Sequence, residues 1–441
     1  MITRNPLEMH RVNKLLKYGA TALFLSAGAV SVAHADTTTT SGGFKIKTED
    51  GKFEFGIGGR IQLDAVIFDE GKIEELPANT TNATTSGVYV RRSYLTLTGK
   101  LYDWKFKFEN DFTAGQSPNS IREMWVSRQV FGGDLIIGQH KPFRSIEELI
   151  SSNEILLMER PFLTNSLLAG GNRQFQPGIF YKYPVTTDFG YFLAQASVYD
   201  AAHPLGNNAG QGFGTSERLT WLAYDANDIK LHLGAWGGID DFGKGGNESV
   251  SPNAVAYAGR NSGTQVLGPI QAIGAASSSA ETFWGVELAG TVGPVFLQSE
   301  YGKTRWEDTA AQADGRTIDR INSFNVQGSV FLTGEKKTYK KDRGTFGSPK
   351  VNSPLGAVEL VARYDKIVNE DRSAGDGVCN SAYAAAAPSR TGEGCYVQQY
   401  TVGANYYVNP AVRVMFNYIR GDNNVTGDDT SSYNARVQLA F

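Results

Sequence analysis

Residues 433–441 read Tyr433-Asn434-Ala435-Arg436-Val437-Gln438-Leu439-Ala440-Phe441. Successive side chains on a strand point to opposite faces. Tyr433, Ala435, Val437, Leu439 and Phe441 therefore share one face, and Asn434, Arg436 and Gln438 share the other. The same alternation recurs along the chain behind a leader that reads as an export signal. A sheet that turns its apolar face to lipid and its polar face to water has to close on itself, because an open edge in hydrocarbon leaves backbone groups unpaired. The expected fold class is all-β, a transmembrane β-barrel.

The leader sets the compartment. Arg11, Lys14 and Lys17 precede an apolar run over 20–32, and Ala33-His34-Ala35 has the small-residue pattern of a cleavage site. Residues 1–35 are expected to be a signal peptide, with Met1 or Met9 as its start. Residues 36–51 are then a short N-terminal segment, and 52–441 the barrel, with no further domain boundary. Loss of 1–35 removes Arg4, Arg11, Lys14 and Lys17 against Glu8, so the mature chain is more acidic than the formal charge of -3. That balance speaks against a nucleic-acid partner. No run after residue 36 reaches the ~18 apolar residues that a spanning helix needs. The mean hydropathy of -0.29 beside 20 Tyr and 24 Phe fits a polar lumen ringed by interfacial aromatics.

Period-two runs bounded by turn residues give sixteen strands: 52–68, 87–101, 104–112, 120–130, 135–140, 177–183, 189–200, 217–224, 229–238, 281–292, 294–302, 321–332, 357–367, 396–408, 411–421 and 432–441. Their connections alternate short and long, as expected for periplasmic turns and external loops. One connection departs from this. Residues 333–356 (TGEKKTYKKDRGTFGSPKVNSPLG) fall on the short-turn side yet are long and basic. Either this is a genuine periplasmic loop or the strand count slips there.

Parity also assigns faces. Val358, Leu360, Ala362 and Tyr364 are placed toward lipid, so Glu359, Arg363 and Asp365 meet water. Trp104, Phe106 and Phe108 face out, with Lys105, Lys107, Glu109 and Asp111 in. Arg60, Asp64, Lys182, Lys230, Glu287, Arg413, Asn417 and Arg436 are likewise assigned to the lumen. Whether Arg91 or Arg92 points inward is left open, since strand neighbours face opposite ways unless one lies at a bulge. The long connection 140–173 mixes Lys141, Arg144, Glu147, Glu148, Glu154, Glu159 and Arg160 with Ile146, Leu149, Ile150, Ile155, Leu156, Leu157 and Met158. A wholly exposed loop has no need of those apolar residues. The expectation is a loop folded into the barrel, apolar side on the wall and charged side narrowing the pore, which sets size cut-off and charge preference together.

Cys379 and Cys395 lie in a polar, Ala-rich connection, and an exported chain is expected to join them as a disulfide. The five histidines show no metal-ligand spacing, and His140 and His232 have no nucleophile or paired-acid context, so no metal, cofactor or enzyme activity is expected. An adhesive or purely structural barrel is the competing non-channel reading.

Five stretches carry a family resemblance: FEFGIGGRIQLDA (53–65), VYVRRSYLTLTGKLYDWKFKFENDF (88–112), IGQHKPF, EELISSN and MERP within 137–161, FLTGE (331–335) and ELVARYD (359–365). In these the chain resembles the phosphate-selective porins O and P. The resemblance implies a 16-stranded outer-membrane barrel, usually a homotrimer, with loop three folded inward and basic residues guiding anions such as phosphate or polyphosphate to a central site. Arg60, Arg91, Arg92, Tyr94 and Arg160 stand where such porins place anion-path or constriction residues. Glu148 stands where phosphate-selective members carry a central lysine. Between 239 and 280, where those members carry clustered arginines, this chain has only Lys244 and Arg260. The leading reading is a passive pore for small hydrophilic anions, and the alternative is a general or cation-leaning porin.

Overall fold

A computed structural model describes residues 35–40, 43–69, 86–114, 120–168, 174–201, 212–226, 228–241, 278–308, 318–351, 353–373, 394–423 and 428–441. Two strands, β1 (Ala35–Thr40) and β2 (Gly43–Thr48), precede the barrel. Its first half is β3 (Phe53–Asp69), β4 (Gly87–Leu101), β5 (Trp104–Asp111), β6 (Ile121–Val130), β7 (Gly133–His140), β8 (Gln176–Thr187), β9 (Gly190–Tyr199) and β10 (Phe213–Ala226). Next come β11 (Ile229–Asp241), β12 (Ser278–Val292), β13 (Val295–Asp308) and β14 (Ile318–Phe331). A separate hairpin, β15 (Lys337–Lys340) and β16 (Thr345–Pro349), interrupts the order before β17 (Ala357–Ser373), β18 (Gly394–Tyr407), β19 (Val412–Asn423) and β20 (Asp428–Ala440).

Each barrel strand pairs antiparallel with its neighbours, and β20 pairs back onto β3 from Ser431↔Asp69 to Ala440↔Arg60, which closes the sixteen strands on themselves. The quoted carboxy terminus is the closing strand. Where β20 ends, Phe441 exchanges backbone hydrogen bonds with Gly59 (2.8 and 3.1 Å), and β2 takes over as partner of β3, from Phe44↔Ile57 to Lys47↔Glu54. Thus the segment 36–51, read only as a short lead-in, carries strand structure of its own.

Burial is inverted relative to a water-soluble domain. Leu63, Val286, Leu288, Leu297, Leu360, Val402 and Val437 are exposed, while Asp64, Gln298, Asn325, Glu359, Asp365, Asn405 and Arg436 are buried. The alternation thus presents apolar side chains outward and polar ones to the interior at the positions parity assigned. Short connections at one end of the barrel lie between β4 and β5, β6 and β7, β8 and β9, β10 and β11, β12 and β13, and β18 and β19; at the other end, β19 and β20 are separated by only 424–427, which departs from the expected alternation. Tyr102 and Phe131 take positive φ (55° and 51°) at the first two of these turns, with Gly132 beside Phe131 at 82°. The signal-peptide reading, 1–35, lies outside the described residues except for Ala35, the disulfide reading depends on Cys379, and Lys244 and Arg260 lie within 242–277; these too are outside the described residues.

Candidate functional site in the lumen

After β7 the chain turns into the barrel instead of leaving it. Ser145, at φ 56°, caps a single helical turn, Ile146–Leu149, its Oγ accepting the Glu148 N–H at 3.2 Å. Ile146, Ile150, Ile155, Leu156 and Leu157 then pack on Ala289, Phe296 and Val361 of the wall, and Phe162, Leu163 and Leu168 pack among Phe180, Trp236, Phe283 and Trp306.

An irregular segment buried in this way must find partners for its backbone, and lumen-facing side chains of the strands supply them. Arg436 Nη1 donates to Met158 O (2.6 Å), Arg413 Nη1 to Ile155 O (3.1 Å), Asn405 Nδ2 to Leu156 O (2.9 Å) and Arg363 Nη1 to Glu159 O (2.8 Å). Asn417 Oδ1 accepts from Met158 N (2.9 Å) and Asp365 Oδ2 from Phe162 N (2.8 Å). Arg363 and Arg413, read from sequence as part of an anion path, are thus spent on anchoring the loop.

The charges of the loop divide in a way that its sequence did not suggest. Arg144 pairs with Glu148 (3.1 Å) and approaches Asp240 (3.5 Å), while Glu147 accepts from Gln298 and Gln327, each at 2.9 Å. All three are fully buried against the wall, which corrects the expectation that the charged side as a whole narrows the water path. With only two short helical pieces among its described residues, Ile146–Leu149 and the π-helical Leu163–Leu168, the loop has no continuous amphipathic face, and the polar wall is itself a good partner for charge. The Glu148 carboxylate therefore does not confront the lumen, and burial lifts its pKa above the ordinary range against the opposing pull of Arg144. Glu159 behaves in the opposite sense. Burial alone would raise its pKa, but Arg91 (2.8 Å), Arg436 (3.0 Å) and Arg92 (3.6 Å) hold the carboxyl well below the usual range.

Among the described residues of the loop, Lys141 and Arg160 are the cations that border open space, although Arg160 also donates to Glu147 O (3.0 Å) and Ile150 O (2.7 Å). They line a cavity of ≈ 400 Å³ between the loop and the wall of β3 to β8, together with Arg60, Arg91, Arg92, Tyr94, Lys105 and Lys107. Arg122, Lys182 and Arg343 complete ten basic side chains there, against four acidic ones, Glu109, Glu123, Asp134 and Asp342. Arg60 donates to Ser152 Oγ (2.5 Å) and Glu109 Oε2 (2.8 Å) and lies 4.4 Å from the centre of the Tyr94 ring. Lys141 Nζ donates to Glu148 O at 2.5 Å; its burial, reinforced by Arg160, drives its pKa well below the ordinary lysine value.

Two bulges shape this lining. Gln62 pairs with Arg92 and Leu63 with Val90, so Arg91 is an extra residue, and both arginines reach Glu159 from the inner side. Glu109 pairs with Glu123 and Asn110 with Ile121, which makes Arg122 the extra residue of β6, bonded to Asp111 at 2.8 Å. A bulge leaves one residue outside the ladder alternation, so strict parity missed Arg122.

The anomalous segment 333–356 is genuine, and the strand count stands. Its hairpin, β15 with β16, enters the lumen from the short-turn side. Phe346 packs with Ile146, Ile155 and Phe296, Lys337 pairs with Glu359 (3.0 Å), and Lys340 with Glu154 (2.5 Å). Arg218 donates to Arg343 O (2.9 Å) and Gly344 O (2.7 Å) while paired with Glu287 (2.6 Å), and His232 bridges Glu287 (2.9 Å) and the Tyr339 hydroxyl (2.8 Å). A second cavity opens on the other side of the hairpin, along β18 to β20, and Ser151 and Arg343 border both.

Sixteen antiparallel strands closed around a polar lumen that two inserted segments constrict define a porin. The chain belongs to the phosphate-selective porin O and P family, whose profile matches residues 55–441. It is similar to Porin O of Pseudomonas aeruginosa, 28% identical over 457 residues that cover 97% of this chain and 99% of that protein. It is also similar to an uncharacterized protein of Caulobacter vibrioides, 24% identical over 73% of this chain and 63% of that one. Among solved structures, OmpT of Vibrio cholerae (TM-score 0.52, 10% identity, covering 88% and 98% of the two chains) shares the fold. So does an anion-selective porin from Comamonas acidovorans (TM-score 0.51, 14% identity, covering 88% and 100%). The protein is a multi-pass β-barrel channel of the outer membrane.

Proposed function

We propose that the protein passes small hydrophilic anions, phosphate or polyphosphate among them, by diffusion through the cavity between loop three and the β3 to β8 wall, and that it works as a homotrimer in outer-membrane lipid. The observation that carries this reading is the ten-to-four excess of basic over acidic side chains around that cavity. Charge of one sign in a narrow, low-dielectric passage concentrates the counter-ion there and excludes the co-ion. Arg60, Arg91, Arg92 and Arg160 present guanidinium groups, whose planar donors suit oxyanions bidentately. Arg60 and Arg91 are partly neutralised by Glu109 and Glu159, which favours transit over tight capture: a conducting site has to release what it binds.

The purified protein in a planar bilayer under a KCl gradient is expected to give an anion-selective reversal potential. Phosphate added to chloride should then reduce the single-channel current saturably. A cation-selective potential would overturn the anion reading and leave a general porin. An anion-selective potential without phosphate block would keep the anion path and remove phosphate from it.

A further inference from the structure

On the lumen face of β6 a large ring, packed on one side against His140 and the core that seats loop three, turns its other side to the basic cavity. On β6, Glu123, Trp125 and Ser127 face the interior, while Met124 and Val126 face lipid. Trp125 is a large ring at a position that the alternation assigns to water. Its cross-strand partners are Gly138 on β7, which offers no side chain, and Lys107 on β5, whose ammonium is drawn to Glu123 at 2.8 Å. The other inward apolar groups nearby are accounted for by packing: Ile136, Phe143, Leu149 and Phe180 are buried in the core that seats loop three. Trp125 sits at the edge of that core, remains partly exposed, and lines the basic cavity. Its orientation is fixed, because Nε1 donates to Glu123 Oε2 at 3.0 Å.

Other rings in the cavity lie beside cations. The Arg122 guanidinium is 5.7 Å from the Phe175 ring centre and 5.9 Å from that of Tyr94, and Lys141 Nζ is 5.5 Å from Phe175. Apolar surface and positive charge thus alternate within a space of ≈ 400 Å³, inside the range of roughly 300–1,000 Å³ typical of small-molecule sites. A bare inorganic anion uses only the charges and leaves the Trp125 ring in contact with water. An anion with a flat aromatic body uses both, its oxyanion on the guanidinium groups and its ring against Trp125 and Phe175.

We propose that this cavity is a binding site for aromatic oxyanions, an aryl carboxylate being the simplest, and that Trp125 is the residue that prefers them to inorganic or short aliphatic anions of equal charge. The inference rests on the anion-pore reading and sharpens its substrate class.

The test compares benzoate with acetate as blockers of chloride current through single channels of the full-length protein, after the reversal potential in KCl alone has been measured. Benzoate is expected to half-block at a concentration on the order of ten-fold below that of acetate, the scale of one ring contact. Trp125→Ala should bring the two within about two-fold, Trp125→Phe should retain most of the preference, and Phe175→Leu should weaken it. An anion-selective wild-type channel blocked equally by both compounds, or a benzoate preference that survives Trp125→Ala, overturns this inference and leaves the anion pore standing. A cation-selective potential overturns the pore reading and the inference with it.

Discussion

At the residue scale, sign and placement of charge differ from what the string of letters suggests. Loop three carries four glutamates in 147–159, and counted alone they make the constriction acidic. In the fold, Glu147 and Glu148 are consumed by Gln298, Gln327 and Arg144, and Glu159 by three arginines, so Lys141 and Arg160 face the cavity. Lys141 has a testable signature. Burial first, and Arg160 second, depress its pKa well below the ordinary lysine value of about 10.4. A depressed ammonium loses its proton at a lower pH, so positive charge leaves the cavity as pH rises. The anion preference in the reversal potential should therefore decline as pH rises, at a lower pH than ordinary lysine titration. Lys141→Arg, which stays charged, should flatten that decline. Identical pH profiles for the two proteins would show that Lys141 does not set the charge of the path.

At the element scale, sixteen strands were legible because each has one face in lipid and one in water, and a period of two survives wherever both solvents are uniform. The departures from legibility have physical causes. Arg91 and Arg122 are bulge residues, and a bulge is specified by cross-strand pairing, which a single strand's sequence does not display. Arg363 and Arg413 were read correctly as inward, but their partners are backbone carbonyls of a loop 204 and 258 residues away in the sequence. The β15–β16 hairpin was visible only as an anomaly of length and charge, since its inward course depends on Phe346 and Tyr339 meeting loop three and His232. Because the hairpin fills the lumen between loop three and the β10 to β13 wall, replacing 338–347 by a short Gly-Ser link should widen the passage. Single-channel conductance is expected to rise, by roughly two-fold if cross-section sets the current. Conductance that stays the same or falls would show that the narrowest point lies wholly in loop three.

At the scale of the whole molecule, the inverted burial pattern is a statement about solvent: the barrel wall is stable only if its outer face is not in water. Leu288 and Val292 on β12 make this measurable. Both point outward and both are exposed in the isolated protein, at 46% and 63%, so in water an arginine at either site would cost little. In a bilayer they differ by depth. Val292 is the last residue of the strand before the turn at Gly293, whereas Leu288 is four residues farther into the apolar band. Moving a guanidinium toward the midplane costs about 2–4 kcal/mol, falling to about 0–1 near the interface. Reversible unfolding from lipid vesicles in denaturant should show Leu288→Arg destabilised by roughly 2–4 kcal/mol and Val292→Arg by no more than about 1 kcal/mol. Equal and small costs at both positions would mean that this face does not meet hydrocarbon, and that its apolar side chains are covered instead by another protein surface, such as a neighbouring copy of the barrel. A depth-dependent cost would assign β12 to the lipid-facing perimeter, leaving the contact between copies to other strands.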